Sequence, residues 1–289
     1  FASYHKQSPP EWLPVEQTVQ LDLEDEASVH RVIRCVNPDV VVHLAAISSP
    51  AVCEKDPHYA QLVNCPTHLT SALRAYAPSC MLIFSSTDLV YDGESPPYTA
   101  VTAPIPVSAY GQTKLEFEKE VLSLTYGVVL RLSNMIGAPF AYRPCGVKFL
   151  QWLEDCCQKK ERVGLRNDEI RSFVDVTDVI TVIVKTMVIH MANLRSRECI
   201  SNVNGIYNVG GPRGLSRLEL GRLVAEAAGV EFIVDSAAST TPEAVTSSDS
   251  DRNSQPWRVF ATTNEESVKT TGIRNPRDVT MISSDTEKR

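Results

Sequence analysis

Residues 39–46 read DVVVHLAA, and residues 81–86 read MLIFSS. Both are unbroken apolar runs rather than alternating ones. That is the pattern of strands covered on both faces by the helices of a parallel sheet. The chain on either side keeps strand and helix alternating. Between the two runs, His58–Ala77 has helical spacing and Pro78 follows it. Beyond them, Tyr110–Tyr126 predicts a helix with Leu115, Val121 and Leu122 inward, and VVLRL at 128–132 predicts a further strand. Upstream, Phe1–His5 predicts a short strand, the proline-rich Gln7–Pro14 a loop, and Val15–Leu21 a strand ending at Asp22. Glu24–Cys35 sets Ala27, Val29, Val32 and Ile33 at helical spacing, and Pro38 stops it. Connections this long between strands imply right-handed crossovers and an α/β, doubly wound parallel sheet.

Residues 143–289 continue with helices at Val147–Lys159 and Ser216–Ala228 and short strands at Ser172–Val176 and Gly205–Val209. They read as a smaller α/β lobe on the same sheet, set against a larger doubly wound domain over 1–142. Residues 237–272 are rich in Ser, Thr and Asp, and read as a disordered surface insertion.

At 289 residues, 43% of them hydrophobic, the chain can bury one large domain with a smaller appendage. A net charge of −7 offers no basic face to displace counterions from phosphates, so nucleic acid is not an expected partner. No continuous apolar run of about 18 residues points to a membrane span. The start at Phe1 lacks the basic flank and apolar stretch of a signal peptide, and reads as a truncation point. The eight cysteines include no C-x-x-C pair, and their spacing suits neither a zinc site nor a disulfide framework. Cys35, Cys65, Cys80 and Cys199 lie among apolar residues and read as small core residues. Reduced thiols point to the cytoplasm.

Tyr110 and Lys114 stand four apart on a helix and so share one face. An ammonium beside a phenol favours the phenolate, and such a tyrosine trades a proton with a carbonyl or alcohol near neutral pH. A surface helix pair would look the same in isolation; position separates the two readings. The helix follows the strand 81–86, which ends in Ser85, Ser86 and Thr87, and ligands of open α/β sheets bind beyond the carboxyl ends of strands. A hydroxyl there can hold the carbonyl oxygen that the tyrosine protonates.

FSSTDLVYDG (84–93), YGQTK (110–114) and LRLSNMIG (130–137) resemble the extended short-chain dehydrogenase/reductases, a Rossmann-like family. RSFVDVTDV (171–179), GIYNVGGPRGLSRLEL (205–220) and RNPRDVTMISS (274–284) extend the likeness. Within the family the chain most resembles the dTDP-4-dehydrorhamnose reductases and the related beta subunits of methionine adenosyltransferase, the RmlD-like substrate-binding group. The resemblance implies that Thr87 is the catalytic hydroxyl, Tyr110 the acid and Lys114 its partner, which also holds the nicotinamide ribose. Cofactor contacts would come from Asp22, Leu44, Ala45, Ala46, Asn64, Ser85, Arg131 and Ser133, together with Tyr110 and Lys114. Asp22 also suits a helix start, Ala45 and Ala46 also suit plain strand packing, and His43 suits a core histidine. Lys148, Arg171 and Arg213 are the substrate-binding candidates by position, and no metal is expected.

The resemblance also implies a first strand and a glycine-rich phosphate loop that this sequence does not contain, and without them pyrophosphate binding should be weak. Leu89 follows Asp88 where nucleotide-sugar dehydratases carry an acidic pair, which favours simple carbonyl reduction or epimerisation. Ser3–Lys6 offers no acid for a ribose 2′-hydroxyl, while His5 and Lys6 suit a 2′-phosphate. NADP(H) is therefore expected over NAD(H). The leading expectation is reduction of a nucleotide-linked 4-keto sugar. The alternatives are a regulatory beta subunit, bound to the catalytic subunit of methionine adenosyltransferase, and an epimerase. A homodimer through the helix bearing Tyr110 is a further expectation.

Overall fold

A computed structural model describes residues 1–5, 9, 13–138, 148–196, 203–235, 255–263, 265–266, 269 and 275–283. Its strands are β1 (Ala2–Tyr4), β2 (Thr18–Gln20), β3 (Val40–His43), β4 (Met81–Thr87), β5 (Gly127–Leu132), β6 (Met135–Ile136), β7 (Val163–Arg166), β8 (Ile170–Arg171), β9 (Val174–Asp175), β10 (Gly205–Val209), β11 (Leu215–Ser216), β12 (Phe232–Asp235) and β13 (Trp257–Thr262). Its helices are α1 (Glu26–Val36), α2 (Pro50–Lys55), α3 (Pro57–Asn64), α4 (Thr67–Tyr76), α5 (Ala109–Leu122), α6 (Phe149–Lys159), α7 (Val176–Ser196) and α8 (Arg217–Ala227).

The main sheet is parallel, in the order β10-β5-β4-β3. β4 and β5 are buried along nearly their whole length, as unbroken apolar strands require. β3 departs from the expectation. It ends at His43 rather than Ala46, and Val40, Val41 and Val42 are only half-buried. The reason is its place at the edge of the sheet. β1 and β2 pair with each other in parallel, and no ladder joins them to β3 among the described residues.

Local chemistry sets the helix limits. The Asp25 carboxylate accepts from Ala27 N and starts α1, which ends on Asn37 in the left-handed region ahead of Pro38. The single helix expected over 58–77 is two helices, α3 and α4. Pro66 has no N–H to continue the ladder, and the chain turns at Cys65–Pro66. Ser216 and Glu219 form a reciprocal capping box at the start of α8.

α1, α4 and α5 cover one face of the sheet, where Val29, Leu69, Leu73, Phe117 and Val121 pack on Leu82, Phe84 and Val129. α7 covers the other, with Val179, Val182, Ile183 and Met187 against Met81, Ile83, Val128 and Leu130. By length and composition alone α7 could span a membrane, at 21 residues and a mean hydropathy of 1.3, but its inner face is taken by the sheet. The smaller lobe is a three-stranded sheet, β12-β13-β7, packed on α6 and α8 around Leu153, Cys157, Leu220 and Trp257.

Beyond residue 142, β10 is a strand of the main sheet and α7 packs on that sheet, so the two lobes interleave in sequence. The expected disordered insertion over 237–272 is corrected at one stretch. Trp257–Thr262 is a regular strand whose Trp257 and Val259 are buried. Alternation within WRVFAT carries it, against the polar composition around it. Residues 237–254 of that expectation lie outside the described residues. The six described cysteines are free thiols, and Cys35 is exposed on α1 rather than in the core. Cys199 lies outside the described residues.

Candidate active site

β4 delivers three hydroxyls to its carboxyl end, each with a different employment. Ser85 Oγ donates to His43 O of the neighbouring strand, 3.2 Å away, and is spent on the sheet. Ser86 Oγ donates to the Glu118 carboxylate. Thr87 Oγ1 accepts from Leu89 N at 3.2 Å and starts the 3-10 turn Asp88–Val90.

α5 lies across that turn. Ser108 caps it by accepting from Gly111 N. A Cβ on Gly111 would stand 2.3 Å from Leu89 O, so only glycine lets the first turn of the helix seat on the 3-10 turn. The seating places the Tyr110 phenol beside the Thr87 hydroxyl and the buried Asp88 carboxyl, to which Thr87 Oγ1 itself donates at 3.4 Å. Lys114, one turn further, is buried, with Nζ 4.2 Å from the centre of the Phe84 ring.

Burial and the charge of Asp88 push the Tyr110 phenol up to about 12, against the opposing hydrogen bond from Thr87. Burial brings the Lys114 ammonium down to about 7, opposed by the charges of Glu118 and Cys53. Desolvation penalises the charged forms of both groups, so burial works against the phenolate that a neighbouring ammonium favours and suits Tyr110 to the role of proton donor.

Asn64 is fully buried and acts as a clamp. Its Oδ1 accepts from Ile47 N at 2.7 Å, while Nδ2 is placed to donate to Ile47 O at 3.2 Å and to Thr113 Oγ1 at 3.1 Å. That ties the 44–47 segment beyond β3 to α5. Leu44 and Ala45 are exposed and Ala46 half-exposed, forming an open apolar shelf beside the hydroxyls. Ser133 Oγ donates to Asp88 Oδ2 at 2.8 Å. Asp22 accepts from His5 Nε2 at 3.1 Å and from Glu24 N at 3.0 Å, at the exposed end of β2. His5, expected to greet a 2′-phosphate, thus faces a carboxylate. Lys6 lies outside the described residues.

Two expected ligands are turned inward. Arg131 is buried and donates to both Glu118 oxygens and to Tyr91 Oη at 2.9 Å. It lies on the α5 side of β5, beneath the site rather than at its surface. Arg171 is also buried, donating to Ile170 O and Pro276 O and pairing with Glu169 at 3.1 Å. Its contribution is a positive charge near Asp88. Lys148 and Arg213 are exposed on the smaller lobe.

The sequence reading missed Asp88 as a buried neighbour of Thr87, Ser133 and Tyr110, and it missed Glu118. Glu118 had a readable signal: it continues the spacing of Tyr110 and Lys114 by one more turn. Among the described residues no group of three or more metal-ligating side chains comes together.

A model of the RmlD substrate binding domain matches residues 4–276. The chain belongs to the RmlD substrate binding domain family. Methionine adenosyltransferase 2 subunit beta of Rattus norvegicus is 40% identical over 119 residues, which are 41% of this chain and 36% of that protein. The dTDP-4-dehydrorhamnose reductase of Escherichia coli is 28% identical over 152 residues, 51% of this chain and 48% of that protein. The matched segments thus span about half or less of these relatives' lengths. The fold agrees with the NADP complex of dTDP-4-dehydrorhamnose reductase from Bacillus anthracis, at a TM-score of 0.70 and 19% identity over 94% of this chain and 84% of that one. In this fold Thr87, Tyr110, Lys114 and Asn64 lie about the carboxyl end of β4, and Lys148 and Arg213 are exposed on the smaller lobe.

Proposed function

We propose that this RmlD-family protein reduces the 4-keto group of a nucleotide-linked sugar with NADPH. The observation that carries the reading is the Thr87–Tyr110 hydroxyl pair, with Lys114 one turn behind it, beside the open shelf of Leu44–Ala46. A dinucleotide fits at its nicotinamide end: the shelf is apolar, Asn64 holds it rigid, and Lys114 is a buried cation near the ribose position. The described residues include no glycine-rich turn for the pyrophosphate, so that half of the fit is not supplied by them. When bound, the cofactor supplies a hydride to the sugar carbon. The Thr87 hydroxyl orients the carbonyl oxygen. Tyr110 Oη, held protonated by its surroundings, gives that oxygen its proton, and the product is the alcohol. Lys114 stabilises the phenolate left behind. Lys148 and Arg213 are the exposed cations available to the nucleotide phosphates, with Asp22 at the adenine end.

The test follows NADPH absorbance with dTDP-4-dehydro-L-rhamnose over a wide range of NADPH concentration. Oxidation that falls about a hundredfold or more in Tyr110→Phe, with NADPH binding retained, is the expected result. Equal turnover in Tyr110→Phe would refute the assignment. The higher identity to the methionine adenosyltransferase beta subunits supports a second reading, a cytoplasmic regulatory subunit that binds NADP without turnover. NADPH binding without oxidation, together with co-purification with a methionine adenosyltransferase catalytic subunit, would select it. An epimerase would instead keep NAD through purification.

A further inference from the structure

Beneath Lys114 lies a buried polar array that the reductase reading does not use. Glu118 is one turn further along α5 and is buried with it. Its carboxylate pairs with Arg131 at 2.7 Å and accepts from Ser86 Oγ, one residue before Thr87. Arg131 donates in turn to Tyr91 Oη, which is 2.9 Å from Asn208 Oδ1 on β10. The array thus fixes β4, α5, β5 and β10 to one another directly under the hydroxyl pair.

We propose that Glu118 is a positioning residue of this site, the fixed buried carboxylate one turn along α5 that favours the charged form of the Lys114 side chain behind Tyr110. The other groups facing Lys114 cannot do so. His43 on β3 is itself buried, has no hydrogen-bond partner for Nε2, and is held neutral, down to about 3, by burial and by the lysine charge. Cys53 on α2 is a thiol raised above its ordinary range by burial. The Phe84 ring on β4 offers only its face. Asn64 on α3 is committed to Ile47 and Thr113, and Tyr110 is a neutral phenol near the buried Asp88. Glu118 remains as the formal negative charge one turn from Lys114 on α5; the Arg131 guanidinium on β5 offsets part of it from the far side, and its grip with Ser86 keeps the carboxylate from rotating away. A carboxylate in a low-dielectric interior acts strongly on a cation one turn off.

The inference rests on the proposed reductase reading only for its kinetic arm. The primary measurement is the titration of Lys114 in lysine-labelled protein by carbon NMR, the signal being assigned by its loss in Lys114→Arg. Glu118→Gln should move the midpoint down by about one pH unit or more, while Ser86→Ala leaves it in place. An unchanged midpoint in a folded Glu118→Gln variant overturns the proposal. Should that variant not fold, because Arg131 is left unpaired, Glu118→Gln with Arg131→Met removes both charges; the midpoint should still move down, by less than in the single variant because a cation is lost with the carboxylate, and an unchanged midpoint there overturns the proposal as well. In the kinetic arm, Glu118→Gln lowers kcat about tenfold or more at neutral pH with KM for the keto-sugar within about twofold, and Glu118→Asp recovers part of the loss. A wild-type protein that oxidises no NADPH would end the reductase reading, yet the titration would still decide the role of Glu118.

Discussion

The two faces of the main sheet are finished to different degrees. On the α1, α4 and α5 face the core is closed: Val29, Ala72, Phe84, Phe117 and Val121 are wholly buried, with Phe84 and Phe117 ring centres 4.9 Å apart, edge to face. On the α7 face only Val179 and His190 of the helix are buried, while Ile180, Val184 and Val188 are 46%, 49% and 62% exposed. The chemistry lies on the closed side. Lys114, Glu118, Arg131 and Asn64 need a dry, immobile surround to hold their charges and hydrogen bonds, and only that face offers one. The difference teaches that the site was placed where packing could support buried charge, and that the opposite face is free of such duties.

The largest break in this comparison should come from the closed side. Arg131→Ala leaves the Glu118 carboxylate buried with only Ser86 as a hydrogen-bond partner and should cost about 3–5 kcal/mol of unfolding free energy. Urea denaturation measures it. A loss under about 1 kcal/mol would mean that water reaches Glu118, and that the closed face is less dry than its packing implies.

A smaller effect belongs to His43, which sits between the Phe84 and Phe117 rings on the same face. Burial, then the charge of Lys114, lowers its imidazole from the ordinary 6.5 to about 3. The unfolded chain takes up the proton as pH falls below 6.5, whereas the native protein resists until about 3. This contribution is therefore complete above 6.5 and is lost on acidification through that window, at most about 1.4 kcal/mol per pH unit. Stability measured between pH 7 and 4 should fall less steeply in His43→Leu than in the wild type. Equal slopes would place the imidazole in contact with solvent.

The same contrast explains what the sequence could reveal. β4 and β5 were legible because strands covered on both faces must be apolar at every position, and MLIFSS and VVLRL are so apart from their hydroxyl ends and Arg131. The Tyr110–Lys114 pair was legible because helical spacing is geometry. β3 was legible as a strand, but its half-bare state was not, since burial depends on neighbours that no local pattern encodes. Arg131 and Arg171 were misjudged for one reason: a cation in a strand looks like a ligand until its buried carboxylate partner, Glu118 or Glu169, is known. The Cys65–Pro66 break was written plainly in the sequence, and the apolar periodicity on either side obscured it. Trp257–Thr262 was hidden by the polar composition of its surroundings.

The smallest expected effect lies on the open face. Val184 and Val188 are one turn apart on α7 and line a groove with Met187, Met191 and Ala192. Few atoms pack on the exposed parts of their side chains, so a polar replacement there removes little apolar burial and opens no cavity. Val188→Lys should change the unfolding free energy by no more than about 0.5 kcal/mol, the ordinary range for surface positions. The same change on the closed face, at Val121, would bury a charge without a partner. Urea midpoints of the two variants, measured side by side, give the ratio of the two faces directly. A loss above about 2 kcal/mol for Val188→Lys would mean that α7 is covered in solution. Sedimentation at two protein concentrations would then show whether a second copy of the chain does the covering, because only self-association makes that loss depend on concentration.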